Sequence, residues 1–121
     1  MAGEALGAAF PKHARLLRRA QFVKVQKEGA KVAVDPLLAL ALRNQLGTTR
    51  MGFTVSTKVG NAVVRNRIRR RLRELYRQRR AALPPGVDVV IVARTSAPSA
   101  DFGGLSRAFD QIASRLRSLF P

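Results

Sequence analysis

Residues 50–80 read RMGFTVSTKVGNAVVRNRIRRRLRELYRQRR, and two periodicities meet inside this stretch. From Arg50 to Ser56, Met51, Phe53 and Val55 alternate with Gly52, Thr54 and Ser56, the period of two that a half-buried β-strand requires. From Asn61 to Arg80 the period lengthens. At about 100° per residue, Val64, Ile68, Leu72, Leu75 and Tyr76 gather on one helical face, which must pack on a sheet. The opposite face carries Asn66, Arg70, Arg73 and Arg77, flanked by Arg69 and Arg80. Arg65, Arg67, Arg71 and Arg79 fall near the apolar border, where their stems cover the core edge while the guanidinium groups reach solvent. Pro84, Pro85 and Gly86 end the helix.

Outward from this unit the order of elements is α/β. Val87 to Ala93 is β-branched and nearly all apolar, which predicts a central strand. On the other side, Asn44 to Thr49 has turn chemistry, Leu37 to Arg43 is an apolar run of strand length, Pro36 resets the chain, and Ala30 to Val34 fits a brief strand. Arg18 to Glu28 reads as a short first helix that places Leu17, Phe22 and Val25 among cations and stops at Gly29 as its C-cap residue. Thr95 to Ala100 is a loop. In the last segment Leu105, Phe109, Ile112, Leu116 and Leu119 recur at steps of four and three, one helical stripe. A four-stranded sheet covered by helices is the simplest packing for this order, in one domain over residues 1–121 with residues 1–11 as a flexible extension.

The charge is as informative as the pattern. The chain of 121 residues holds 23 Lys or Arg against 7 Asp or Glu, a formal +16. Arg65 to Arg80 contains nine arginines and one glutamate, a net +8, and Lys12 to Lys31 contributes a further +6. Such segments repel themselves unless a polyanion neutralises them. Nucleic acid is favoured over an anionic membrane, because neither segment carries an aromatic insertion face and the chain has no Trp. A merely solvated helix face would mix signs at i,i+4, whereas here Glu74 is the only acid in the run.

Several chemistries are excluded. With no cysteine there is no disulfide framework, thiolate zinc site or thiol nucleophile, and the single histidine, His13, sits in a polar N-terminal segment. The seven carboxylates are scattered singly, so no acidic cluster for two-metal phosphodiester hydrolysis is visible; no catalytic residue and no metal ligand is expected in the protein. The longest bulky apolar run, Leu37 to Leu42, is far short of the roughly 20 residues that span a bilayer. The first ten residues include Glu4 and no Lys or Arg, unlike the start of a signal peptide, so a cytoplasmic protein without a membrane partner is expected.

Ahead of the basic helix lies Ser56-Thr57-Lys58-Val59-Gly60-Asn61-Ala62. Gly60 permits a tight strand-to-helix turn, and backbone N–H groups at the helix start can hold a phosphate with Lys58 close by; a plain connection fits nearly as well. The whole stretch Arg50 to Arg73 resembles the signature of the bacterial ribonuclease P protein subunit, whose hallmark is an Arg-Asn-Arg helix, here Arg65-Asn66-Arg67, preceded by Gly-Asn-Ala-Val, here Gly60 to Val63. The resemblance extends from about residue 15 to residue 120, with Phe22 on a first helix and Val87 to Arg94 as a final strand.

That resemblance implies an α+β fold: a two-layer α/β sandwich of a four-stranded sheet and three helices, like the second domain of ribosomal protein S5. Its Arg-Asn-Arg helix makes a left-handed β-α-β crossover, where handedness rules alone predict the opposite. It implies a protein subunit of ribonuclease P, one per catalytic RNA, in which the RNA holds Mg²⁺ and removes the 5′ leader of precursor tRNA. By the same resemblance Arg65, Asn66, Arg67, Arg69, Arg70, Arg73, Lys58 and Ser56 face RNA. Phe22, Lys58, Arg65 and Asn66 belong to a cleft for the single-stranded leader, where a base stacked on Phe22 contributes about 1 to 3 kcal/mol. Phe22 fits plain core packing equally well. The chain departs from its relatives at Gln26 and Leu40, where they often place cleft aromatics, and at Thr57, where they often have a lysine. A ribosomal or architectural RNA-binding protein without a processing role is the alternative reading.

Overall fold

A computed structural model describes residues 14–16 and 18–121; Leu17, His13 and the extension at residues 1–11 lie outside the described residues. The elements follow the order α1 (Arg19–Glu28), β1 (Ala30–Val34), β2 (Leu37–Arg43), β3 (Arg50–Thr54), α2 (Ala62–Arg79), β4 (Val87–Ala93) and α3 (Phe102–Leu119). Short 3-10 turns occupy Arg80–Ala82 and Ala97–Ser99, the second inside the stretch expected to be loop. The strand expected to reach Ser56 stops at Thr54, and Val55 beyond it is still buried.

The four strands form one sheet in the order β1-β2-β4-β3. β1 and β2 make a hairpin closed at the pair Val34 and Leu37, around a cis Asp35–Pro36 bond. β4 lies inside the sheet, antiparallel to β2 and parallel to β3, as its unbroken apolar run predicts. Parallel neighbours cannot be joined by a hairpin, so the chain leaves β3 and returns to β4 through α2.

Alternation along the strands sorts side chains onto two faces. Met51, Val87, Val89, Ile91, Leu37 and Ala39 point into the larger core, where they meet Ile68, Leu72 and Leu75 of α2 and Leu105, Phe109, Ile112 and Leu116 of α3. Each such fully buried aliphatic side chain contributes about 1.5 to 3 kcal/mol. The stripe of α3 ends earlier than its periodicity suggests. Leu119 is half-exposed, because Phe120 closes the helix by donating its N–H to the Leu116 carbonyl and lies under the Arg43 guanidinium, 5.3 Å from ring centroid to Cζ.

Among the described residues the other sheet face is covered by α1 and by Leu16 ahead of it, where Val25 packs with Leu16, Leu40 and Val90. Gly29 caps this helix through its N–H to the Val25 carbonyl at 2.8 Å, with an ordinary negative φ of −75°. Phe22 lies partly buried against the same cluster. Gly52 of β3 makes room for it: a Cβ there would stand 2.6 Å from two carbons of the Phe22 ring. Asp88 of β4 is the buried charged side chain of the described residues. It accepts Arg50 Nε at 2.8 Å and Nη2 at 2.7 Å, and Asn44 Nδ2 at 2.8 Å, so its charge is paired and its oxygens are satisfied. The Asp88 hydrogen bond in turn holds the Arg50 guanidinium above the usual arginine range.

Gly52→Ala is expected to destabilise the fold by about 1 to 3 kcal/mol in urea denaturation, the usual cost of overpacking. In a Phe22→Ala background most of that loss should vanish; an equal loss in both backgrounds would mean that the ring does not depend on Gly52.

Candidate nucleic-acid interface

α2 begins where local chemistry stops β3 from continuing. Ser56, Thr57 and Lys58 are exposed in a turn closed by the Val59 N–H on the Ser56 carbonyl at 3.0 Å. Asn61 then caps the helix, its side chain accepting the Val64 N–H at 3.0 Å. Gly60 matters by its size and not, as the sequence suggested, by its backbone freedom. It stays outside the left-handed region, but a Cβ would stand 2.9 Å from Val64 Cγ1.

Along α2 the burial follows the helical pattern. Ile68, Leu72, Leu75 and Tyr76 are buried, while Asn66, Arg70, Arg73, Arg77 and Arg80 are exposed and Arg65, Arg67, Arg69, Arg71 and Arg79 are intermediate. Of the half-buried arginines, Arg65 and Arg69 are held back by backbone carbonyls and Arg79 by an acid. Arg65 Nε donates to the Gly60 carbonyl at 3.2 Å, leaving its Nη groups without a partner among the described residues. Arg69 donates through Nη2 to the Val55 carbonyl at 3.3 Å and through Nη1 to Asn66 Oδ1 at 3.1 Å. Asn66 Nδ2 has no partner among the described residues, and Oδ1 keeps one lone pair, so both ends of the amide remain open to a ligand. Arg67 has a buried Nε with no hydrogen-bond partner among the described residues.

Two arginines read as free or snorkelling are neutralised instead. Arg77 forms an ion pair with Glu74, whose carboxyl is held below its ordinary range first by Arg77 and then by Gln78. Arg79 pairs with Asp110 of α3 and donates to Ser106 Oγ at 2.6 Å. Glu74 is therefore not the only relief; the second acid comes from another helix, beyond the reach of a local reading. Arg70 and Arg73 remain without an ion pair or hydrogen bond among the described residues. With Val63, Asn66 and Arg69 they line an open hollow of about 760 Å³. Val63 is 74% exposed there, an apolar residue that the charge pattern did not single out.

Phe22 lines a different groove of about 300 Å³, with Arg19, Val23, Gln26 and Thr54. Lys58, Arg65 and Asn66 are not among its lining residues. The two linings share no residue; at the end of β3 Thr54 lines the Phe22 groove, and the next carbonyl, Val55, receives Arg69. Leu40 is buried under α1 and lines neither site, whereas Gln26 does line the Phe22 groove. Arg19, Val23 and Thr54 were legible in principle: the first two share a helix flank with Phe22, and Thr54 alternates with the core residues of its strand.

Among the described residues no three Asp, Glu, His or Cys side chains converge into a metal-binding group. No described helix is long and apolar enough to cross a membrane.

The family described as Ribonuclease P matches residues 10–117. The chain belongs to the ribonuclease P protein family. Membership makes it a protein subunit of a tRNA-processing ribonucleoprotein endonuclease. The "Ribonuclease P protein component" of Citrifermentans bemidjiense is 45% identical over 111 residues, covering 92% of this chain and 95% of that protein. Its counterpart in Geobacter sp. is 43% identical over the same length and shares. Among solved structures, the RNase P protein from Thermotoga maritima superposes with a TM-score of 0.78 at 28% identity, over 84% of this chain and 96% of that one. The α+β sandwich expected from the motif is thus the family's fold.

Glu74→Gln should release Arg77 into the cationic face. At low salt, RNA affinity is expected to rise, and the slope of log K against log salt to steepen by about 0.7 to 0.9, the value of one phosphate contact. An unchanged slope in filter-binding titrations would place Arg77 away from the RNA.

Proposed function

We propose that the outward face of α2 docks on the catalytic RNA of ribonuclease P, one protein per RNA, and that the Phe22 groove receives the 5′ leader of precursor tRNA. The observation that carries this reading is the hollow of Asn66, Arg69, Arg70 and Arg73, in which Arg70 and Arg73 have no protein counter-charge among the described residues. Guanidinium groups are planar, permanently charged and bidentate, which suits phosphate oxygens. Arg65, Arg67, Lys58 and Ser56 surround this face and extend it toward the end of β3.

The leader reading rests on the half-buried Phe22 ring. One side packs on the sheet above Gly52, while the groove beside it leaves the ring accessible to a base, a contact that tolerates any leader sequence. Arg19 at the groove and Lys58 at the strand end supply charge along the path. Mg²⁺ belongs to the RNA in this scheme, and the protein's part is to hold RNA and leader in register. A cytoplasmic location follows from the partners, which are RNA and precursor tRNA.

The test is reconstitution with the cognate RNA. At low Mg²⁺ the protein should raise cleavage of precursor tRNA; no rise would return it to an architectural RNA-binding role. Arg70→Ala and Arg73→Ala should each lower the salt slope of RNA binding by about 0.7 to 0.9. Phe22→Ala should weaken binding of precursor with a leader more than binding of mature tRNA, and equal losses would assign the ring to the core alone.

A further inference from the structure

α1 crosses the sheet with a groove on each side. The first holds Phe22 and Thr54. The second, of about 260 Å³, lies over the opposite end of β3 and is lined by Lys24, Arg43, Asn44, Gln45, Arg50 and Asp88, among others. Arg50 and Thr54 are four residues apart on the same face of β3, with Gly52 and the Phe22 ring between them.

The second groove is built around a fixed polar floor. Its one acid, Asp88, is spent on Arg50 and Asn44, so it offers no net repulsion to an anion. Arg50 uses Nε and Nη2 on Asp88, which orients the guanidinium and leaves Nη1 with no partner among the described residues. Lys24 is exposed at the rim and, with Arg50 against Asp88, leaves the groove a net charge of +1; Arg43, also on the lining, turns its guanidinium onto Phe120 on the other sheet face. Asn44 also fixes the adjoining turn: its Oδ1 accepts the Leu46 N–H at 2.8 Å and its Nδ2 donates to the Thr48 carbonyl at 3.0 Å. Within that turn Gln45, a lining residue of the groove, is held at φ +60°, an uncommon conformation for a residue other than glycine, and its amide has no partner among the described residues.

We infer that this second groove binds the phosphodiester backbone of single-stranded RNA, namely leader nucleotides upstream of the one at Phe22. The inference rests on the leader reading above and extends it. The fold supplies the choice of strand. The arginine face of α2 projects away from the sheet on the α2–α3 layer, whereas both grooves flanking α1 open on the other sheet face. An RNA strand on that face is therefore the one already held at Phe22, continuing past α1. Lys24 attracts its phosphates, Arg50 presents a preset N–H, and the free Gln45 amide can bond a base edge or ribose without demanding one sequence.

The experiment compares two precursor tRNAs bound by the reconstituted ribonucleoprotein: one whose leader ends within the Phe22 groove, and one whose leader is several nucleotides longer. Lys24→Ala should weaken binding of the long-leader precursor by up to about fivefold, the scale of one exposed charge contact, and leave the short-leader precursor unchanged. The salt slope for the long leader should fall by about 0.7, the single-strand value. Lys24→Glu should deepen the loss, and Gln45→Ala should share its leader-length dependence. Equal losses on both precursors, or weaker binding of the catalytic RNA alone, would assign the groove to that RNA and overturn the inference. No loss with any of the three variants would overturn it as well. Phe22→Ala serves as the control that separates the two readings: if its effect is independent of any leader, the underlying leader assignment fails irrespective of what Lys24 does.

Discussion

α2 has to reconcile a stripe that must leave water with a crowd of like charges that must not. Ile68, Leu72, Leu75 and Tyr76 are buried against the sheet and α3, and the nine arginines from Arg65 to Arg80 are carried along with them. The structure spends few acids on this problem. Glu74 takes Arg77 and Asp110 takes Arg79, while the carbonyls of Gly60 and Val55 draw Arg65 and Arg69 back toward the end of β3. What stays open is a narrow set centred on Asn66, Arg70 and Arg73. The residual repulsion is a standing destabilisation that a phosphate backbone would relieve; on the docking proposed above, this would couple stability and RNA binding through one helix.

The second organising contact is the crossing of α1 over β3. Gly52 allows the Phe22 ring to descend onto the sheet, and this close approach divides one face into two grooves of different character. One combines an aromatic ring with a threonine and an arginine; the other is floored by the Arg50–Asp88–Asn44 network. Strand alternation explains why both open on the same face, since Arg50, Gly52 and Thr54 share it while Met51 and Phe53 point to the larger core.

Family membership and geometry support each other at different scales. The relatives establish the protein's place in a tRNA-processing ribonucleoprotein. In the role proposed above, the described residues would serve it by presenting oriented N–H donors and one accessible ring.

The sequence alone determined whatever depends on neighbours in the chain. The period of two at Met51, Phe53 and Val55, the helical stripe from Val64 to Tyr76, and the border and ridge arginines of α2 all stand where local repeat geometry puts them, because dihedral preference and burial periodicity are local quantities. The Arg-Asn-Arg motif likewise carried the family. Contacts that bring distant segments together were decided only by the tertiary structure. Asp110 neutralising Arg79, Arg69 reaching the Val55 carbonyl, Leu40 sealed beneath α1, and Gly52 kept small for Phe22 involve partners whose proximity no sequence interval encodes. The separation of Phe22 from Asn66 into neighbouring hollows is of the same kind: it follows from which face of the sheet each helix covers, and that is set by the crossover of β3 to β4 through α2.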